Sequence, residues 1–358
     1  MCKFINKWLL FFGAIFLCSM QCVYIVYAEE KEEMVEENMF LAPEVSLTTD
    51  TSIIYDMKGQ PAIQIPADTN ARGNVNNPYK VLKVPAQITR QGDYYFIVDT
   101  YHDQVIYTKD LNAPVENWKV MTSDVTLPHA VASDGNVYLV TDTEENRILV
   151  FEWKYGRFQN TQRFDNIGVR PHYIEYDEET DSFFVWSSTT GDMYIMKREP
   201  VSGIMYIQEI RHINELAGFY VRSFTINRRT ILFPSGTNGY MIVADKQTLE
   251  VKQRYAVTQE IAGMAYALQI GNYYYMTVST NLSGEHDTAT MIRTSDLNSL
   301  ANGQYEDIYG IFGENGIPYY IDIVDGKYYM TNHEGKNSIL RFSVVNDVVV
   351  YEGYLIKK

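Results

Sequence analysis

Two proline–histidine dipeptides are the residues of this sequence whose types and spacing could support chemistry. Pro128-His129 and Pro171-His172 are 43 residues apart, and each stands at the start of a run of strand-forming residues. A neutral imidazole can act as a general base or as a metal ligand. Because such a recurrence is typical of a repeated structural unit, both histidines are expected to point toward one place in the fold.

Six units with the same pattern of short alternating strands follow one another along the chain. They begin at Gln87, Ala130, Tyr173, Ser223, Tyr266 and Ile321, with spacings of 43, 43, 50, 43 and 55 residues. A period of about 45 residues with several strands per period is typical of a propeller blade. We therefore predict an all-β fold, a six-bladed β-propeller of four-stranded antiparallel blades. Residues 79–84 are predicted to form a strand that helps to seal the first blade to the last.

The second unit resembles an NHL repeat. The residues that carry this resemblance are Asp134-Gly135-Asn136-Val137-Tyr138, Asp142-Thr143, Asn146-Arg147-Ile148 and Phe151, with echoes in the first and sixth units. Asp-Gly dipeptides supply the tight turn of a hairpin. The resemblance implies an NHL-repeat-like propeller over residues 84–354. Because such propellers bind proteins, RNA or sugars, and a few are enzymes, it implies an architecture and not an activity.

The position just before each unit is expected to lie at one mouth of the central channel, where the innermost strands begin. It holds Ala86, His129, His172, Arg222, Ala265 and Tyr320. We predict a ligand-binding site made by the larger four, His129, His172, Arg222 and Tyr320, which could bind an anion, a carboxylate or a sugar. Loops 281–287 and 298–316 would form its rim. Alternatively, these side chains fill the channel with water and satisfy one another.

Neither a metal nor a cofactor is predicted at this mouth. The peptidylglycine amidating lyases, whose architecture is similar, hold zinc in the channel with histidines. Here only two of the six positions carry histidine, and Arg222 would place a cation beside the metal. Sugar-lactonase-like propellers use carboxylates at the channel, and none of the six positions carries one.

The sequence favours a ligand- or partner-binding module over an enzyme. It contains no G-x-S-x-G, no H-E-x-x-H and no phosphate-binding glycine loop. The enzyme alternative is a lyase or hydrolase acting on a small polar or glycan substrate. In that alternative His129 or His172 is the general base and Arg222 holds an anionic group.

The N-terminal region predicts export. Residues 1–28 combine Lys3 and Lys7 with an apolar run and Val26-Tyr27-Ala28, as in a signal peptide, or alternatively an N-terminal membrane anchor. Residues 29–78 are predicted to be an acidic linker and an irregular arm, and residues 79–358 the propeller. All three cysteines lie within residues 1–28.

Charge sets the expected partners and location. The net charge of −15 becomes −17 without the two lysines of residues 1–28, and a field of this sign disfavours nucleic acid. We expect a secreted or cell-surface monomer whose partner is a protein, a carbohydrate or a small polar ligand. It would contact a membrane only through an uncleaved N-terminal segment.

Overall fold

The computed structural model describes residues 54–55, 60–69 and 74–357. The predicted signal or anchor segment at residues 1–28 and the glutamate-rich run at 29–38 lie outside these ranges. Within them, no helix is long and apolar enough to cross a membrane. The helical elements there are short 3-10 turns: η1 (Thr100–His102), η2 (Val115–Asn117), η3 (Asn214–Leu216), η4 (Gln259–Ile261), η5 (His286–Thr288), η6 (Leu297–Asn302) and η7 (Tyr309–Phe312).

The strands form six four-stranded antiparallel blades, which confirms the predicted fold class. Before the blades come β1 (Ile54–Tyr55), β2 (Gln60–Pro61) and β3 (Ile63–Gln64). Blade 1 contains β4 (Pro85–Gln91), β5 (Tyr94–Asp99), β6 (Gln104–Thr108) and β7 (Lys119–Thr122). Blade 2 contains β8 (Val131–Ser133), β9 (Val137–Asp142), β10 (Arg147–Lys154) and β11 (Arg157–Phe164). Blade 3 contains β12 (Pro171–Asp177), β13 (Ser182–Ser187), β14 (Asp192–Arg198) and β15 (Met205–His212).

The second half of the ring repeats this arrangement. Blade 4 contains β16 (Thr225–Ile226), β17 (Thr230–Phe233), β18 (Tyr240–Asp245) and β19 (Val251–Ala256). Blade 5 contains β20 (Gly263–Ile270), β21 (Tyr273–Thr280), β22 (Thr290–Thr294) and β23 (Glu306–Asp307). Blade 6 contains β24 (Ile317–Val324), β25 (Lys327–His333), β26 (Asn337–Val345) and β27 (Val348–Lys357). The first strand of each blade contacts the first strands of both neighbouring blades, so β4, β8, β12, β16, β20 and β24 surround the central channel.

The segment that precedes the blades covers their outer edges. Strands β1 and β2 both pair with β15 at the edge of blade 3, and β3 pairs with β11 at the edge of blade 2. Asn76 then forms an isolated bridge with Lys119 at the edge of blade 1. The irregular arm predicted within residues 29–78 thus supplies hydrogen bonds to edge strands that would otherwise offer free backbone groups.

The ring closes between blade 1 and blade 6 without a shared strand. Thr331 Oγ1 donates to the Ala86 carbonyl at 2.9 Å, and the Ile88 amide donates to Asp322 Oδ2 at 3.4 Å. Apolar side chains of both blades, among them Ile88 and Val324, form one buried cluster across this joint. Side-chain contacts between blades 1 and 6 therefore close the ring, where residues 79–84 were predicted to help as a strand.

The predicted strand at residues 79–84 is wrong. The backbone amides of Lys83 and Val84 donate to Asp99 Oδ1 at 2.9 and 3.1 Å, and the Val84 carbonyl accepts from the Thr100 amide at 2.8 Å. These backbone groups therefore bond to the Asp99 carboxylate and the Thr100 amide, and not to a neighbouring strand. The segment still contributes to the joint, because Leu82 is fully buried in the cluster between blades 1 and 6.

Candidate functional site

The mouth at which the innermost strands begin, here called the histidine mouth, brings the two predicted histidines together. Their ring centroids are 3.8 Å apart, with 33° between the ring planes. His129 precedes β8 and is 8% exposed, and His172 lies in β12 with no exposed surface. The recurrence of Pro-His in the sequence thus corresponds to two adjacent imidazoles.

Protein groups occupy both ring nitrogens of His172. Nδ1 lies 2.9 Å from the Arg222 carbonyl oxygen and 2.8 Å from the Tyr320 hydroxyl. Because a carbonyl oxygen only accepts, Nδ1 carries the proton, and Nε2 accepts from the Tyr220 hydroxyl at 2.9 Å. Burial, the His129 ring and the Arg170 guanidinium lower the pKa of His172 well below its ordinary value. His172 is therefore a neutral imidazole that joins three residues of the histidine mouth.

His129 is held in a similar way. Its Nδ1 donates to the Leu127 carbonyl at 2.8 Å and lies 3.1 Å from Thr143 Oγ1. Burial and the Arg170 guanidinium lower its pKa well below the ordinary value. Within the described residues, no group of three or more histidine, cysteine, aspartate or glutamate side chains is placed to hold a metal ion.

The predicted residue Arg222, together with Arg170 and Tyr220, which were not predicted, completes the histidine mouth. Arg222 is 2% exposed, and its guanidinium carbon lies 4.9 Å from the centroid of the Tyr220 ring. The Arg170 guanidinium carbon lies 5.9 Å from the same centroid, and Arg170 Nη1 donates to Glu144 Oε2 at 2.8 Å. Tyr220 thus contacts two cations with its ring, an arrangement that is favourable for an aromatic face.

Tyr320 lies one position deeper than the sequence comparison of the six units implied. Val131 pairs with Val140, the residue before Thr141. In the same way, Ile321 pairs with Met330, the residue before Thr331. Ile321 therefore corresponds to Val131, so that Tyr319 and not Tyr320 corresponds to His129. The cause is a register shift in β24 between Pro318 and Ile321. A one-residue shift moves a side chain to the other face of a strand.

Three tyrosines fill the channel below the histidine mouth and are here called the tyrosine layer. The Tyr320 ring centroid is 5.1 Å from that of Tyr173 and 5.6 Å from that of Tyr266. All three rings are buried. The Tyr320 hydroxyl reaches up to the Arg222 carbonyl at 3.0 Å, whereas the Tyr173 and Tyr266 hydroxyls are 3.3 Å from each other. This layer separates the two ends of the channel.

Beyond the tyrosine layer lies a cavity of about 470 Å³, here called the acidic-mouth cavity. It is lined by the later residues of the innermost strands and by the turns that follow them. Its polar lining includes Gln87, Thr89, Glu175, Thr225, Gln269 and Asp322. A volume of this size is within the range of small-molecule sites.

Three carboxyl side chains line this cavity: Glu175 and Asp322, from blades 3 and 6, are half-buried, and Glu178, in the turn after β12, is exposed. Glu175 Oε2 accepts from the Ile226 amide at 3.2 Å, and Asp322 Oδ1 accepts from Gln87 Nε2 at 3.4 Å. Burial raises the pKa of Glu175 to about 8 and that of Asp322 to about 8. None of the lining residues in the described part of the chain is an arginine or a lysine. The nearby Lys246 donates instead to Asp177 and Glu179, at 3.0 and 2.7 Å.

Glu175 and Asp322 were not predicted, because they do not occupy the position just before a unit. A usable signal existed in blade 3, where Tyr173 and Glu175 are two residues apart and therefore face the same side of β12. Asp322 was harder to find, because the register shift in β24 changes which residues of the sixth unit face the channel.

The two predicted rim loops differ in their structure. Residues 281–287 join β21 to β22, and the Leu282 amide donates to the Gln259 carbonyl just before β20 begins, which places this loop on the histidine-mouth side. Residues 298–316 contain most of η6, all of β23 and all of η7, so they build the outer edge of blade 5. Neither segment lines the acidic-mouth cavity.

The chain matches no protein-family model and no curated protein. Its fold is similar to solved structures. A provisionally assigned 6-phosphogluconolactonase from Bacteroides uniformis has a TM-score of 0.54 and 14% identity, over 73% of this chain and 81% of that one. A streptogramin B lyase has a TM-score of 0.53 and 12% identity, over 80% and 87%. A virginiamycin B lyase from Staphylococcus aureus has a TM-score of 0.51 and 12% identity, over 78% and 87%.

At these identities the likeness shows the fold alone. The six-bladed propeller is shown, whereas the NHL-repeat resemblance stays a prediction. Ligand binding by His129, His172, Arg222 and Tyr320 also stays a prediction. What the structure describes for these four residues is their contacts with other groups of the protein.

Proposed function

We propose that the protein is a ligand-binding β-propeller that takes a small polar molecule into the acidic-mouth cavity. The observation that carries the proposal is a cavity of about 470 Å³ into which Glu175 and Asp322 both project. Their hydrogen bonds to the protein, at 3.2 to 3.4 Å, are long. A polar ligand could therefore form shorter bonds with the same oxygens.

The contrast with the histidine mouth supports this location. The His172 nitrogens are already bonded to the protein, and a ligand there would have to displace Tyr220 or Tyr320. Leaving a buried hydroxyl without a partner costs about 1–3 kcal/mol. The enzyme alternative, which needs one of these histidines as a base, stays a prediction.

We also propose that this binding occurs outside the cytoplasm, in an NHL-like propeller that is secreted or held at the cell surface. Residues 1–28 and the acidic run that follows support export. Sequencing the N terminus of protein recovered from the medium, the membrane fraction and the cytoplasm tests this. A start at Glu29 identifies a cleaved signal, an intact N terminus in the membrane fraction identifies an anchor, and recovery only from the cytoplasm contradicts export.

A thermal-shift screen of the full chain tests the ligand site. The panel contains organic amines, neutral sugars and polyols, organic anions and divalent cations. We expect at least one class of small polar molecule to raise the melting temperature of the wild-type chain. The variant Gln269→Trp places a large ring at an exposed position of the cavity rim and should abolish that shift.

The matched control is Val201→Trp, because Val201 is 94% exposed and does not line the cavity. It should keep the wild-type response. The proposal fails if no class in the panel shifts the wild-type chain, or if Gln269→Trp responds as strongly as Val201→Trp.

A further inference from the structure

The walls of the acidic-mouth cavity combine two features that favour the same kind of ligand. Glu175 on β12 and Asp322 on β24 bring carboxyl groups from two blades that are not neighbours in the ring. Between them, Tyr173, Tyr176 and Tyr266 present aromatic side chains to the same space. Carboxylates attract a cation by its charge, and aromatic faces attract it through the ring quadrupole.

We propose that the acidic-mouth cavity is an organic-ammonium site, in which Glu175 and Asp322 bind the charged nitrogen and the tyrosines contact the carbon skeleton. This inference rests on the proposed function and names the chemical class of its ligand. The ligand is an amine small enough for a cavity of about 470 Å³.

The other ligand classes fit the lining less well. An organic anion would meet the carboxyl groups of Glu175, Glu178 and Asp322, and the described lining holds no arginine or lysine to balance its charge. A metal ion would need a larger set of ligands than the described residues assemble at any one place. A neutral sugar could form hydrogen bonds with the carboxyl groups, but it would bring no positive charge to favour their ionised form.

Proton release should accompany the binding of an amine. Burial keeps the pKa of both carboxyl groups at about 8, so each holds a proton at pH 7 in the free protein. A cation favours the ionised form and therefore displaces a proton. The charged and titratable groups that line the cavity with the two carboxyls or interact with them are Tyr173, Tyr176, Asp177, Glu178, Lys246, Tyr266 and Tyr320.

Calorimetric titration of the full chain tests the inference. The probes are benzylamine, 1,4-diaminobutane and choline, with benzyl alcohol as the neutral isostere of the first. We expect at least one amine to bind, and benzyl alcohol to bind at least about tenfold more weakly than benzylamine. Between pH 6 and pH 8 the amine affinity should rise, by up to about tenfold per pH unit for each proton released.

The variant Glu175→Gln/Asp322→Asn should lose at least about tenfold in amine affinity and should lose the pH dependence. The control Glu116→Gln/Asp287→Asn removes two exposed carboxyl groups that do not line the cavity, and it should bind like the wild type. Melting curves of both variants confirm that they fold.

The inference is overturned if no amine binds, or if amine affinity persists in the Glu175/Asp322 variant. If a sugar, an anion or calcium binds instead and Gln269→Trp blocks it, the ammonium site is wrong while the proposed function stands. If nothing in either panel binds, both are wrong.

Discussion

At the histidine mouth, basic side chains pack against tyrosines. Three residues after His172, at Glu175, a carboxyl group instead faces the acidic-mouth cavity of about 470 Å³. His172 and Glu175 both belong to β12 and both are titratable. His172 uses its two ring nitrogens on Arg222, Tyr320 and Tyr220. Glu175 accepts one backbone hydrogen bond at 3.2 Å. The histidine mouth is filled and the acidic-mouth cavity is open to a ligand because their titratable side chains differ in the number of protein groups bonded to them, not because they differ in residue type.

The comparison also shows why a cluster of histidines and arginines in a channel is not by itself a binding site. In both mouths burial keeps the side chain neutral, because it lowers the pKa of His172 and raises that of Glu175. At the histidine mouth the neutral form is also locked by hydrogen bonds. At the acidic-mouth cavity, a ligand with a positive charge can shift the carboxyl groups from the neutral to the ionised form.

The largest effect is expected from His172→Ala. It removes the bond of the Tyr220 hydroxyl to His172 and one of the two bonds of the Tyr320 hydroxyl, and it creates a void between buried rings. We expect a loss of about 3–5 kcal/mol in the free energy of unfolding, measured by urea denaturation at pH 7.5. His286→Ala, in a half-buried turn, should lose less than about 1 kcal/mol. Equal losses in the two variants would mean that His172 does not organise the histidine mouth.

Replacing Glu175 and Asp322 of the acidic-mouth cavity by neutral amides should stabilise the protein at high pH. In the unfolded chain the two carboxyls release their protons near pH 4, whereas in the fold both have a pKa of about 8. Between these values the folded state holds more protons, so wild-type stability falls as the pH rises to about 8 and is then constant. Glu175→Gln/Asp322→Asn should gain about 1–3 kcal/mol over the wild type at pH 9 and nothing at pH 4, measured by urea denaturation. A variant that is no more stable at pH 9 would contradict the burial of these groups.

The histidine mouth should show the opposite pH dependence. Burial lowers the pKa of His129 and His172, so below about pH 6.5 the unfolded chain binds protons that the folded state does not. Stability should therefore fall with decreasing pH, by up to about 1.4 kcal/mol per pH unit for each histidine. The Glu175→Gln/Asp322→Asn background shows this slope most clearly, because its carboxyls no longer titrate. His129→Gln in that background should remove about half of the slope, and an unchanged slope would assign it to other groups.

The smallest effects come from the two faces of the tyrosine layer. Tyr320→Phe removes bonds to His172 and to the Arg222 carbonyl and should cost about 1–2 kcal/mol in the free energy of unfolding. Tyr266→Phe removes a 3.3 Å contact with Tyr173 and a hydrogen bond with Thr225, and it should cost about 0.5–1 kcal/mol. Urea denaturation of both variants at pH 7.5 checks the order. A larger cost for Tyr266→Phe would mean that the face toward the cavity is the more tightly bonded one.

Much of the fold could be predicted because it repeats. The recurrence of alternating strands about every 45 residues was enough to predict six blades, and the two Pro-His dipeptides were enough to predict that both histidines point toward one place. Residues 79–84 were mistaken for a strand because apolar alternation does not reveal that a side chain, Asp99, binds the backbone. Glu175 and Asp322 of the acidic-mouth cavity lie two residues after Tyr173 and Tyr320, whereas the predicted site used only the position just before each unit.

The sequence by itself determined the number of blades, their antiparallel strands and the approach of His129 to His172, since these follow from local alternation and a constant period. Tertiary structure alone decided which side chains were already bonded. The Tyr320 hydroxyl that binds His172 lies 148 residues away in the chain, and a one-residue register shift in β24 decides that Tyr320 enters the tyrosine layer. Period and alternation are local properties, whereas hydrogen-bond partners across a channel depend on how the ring closes.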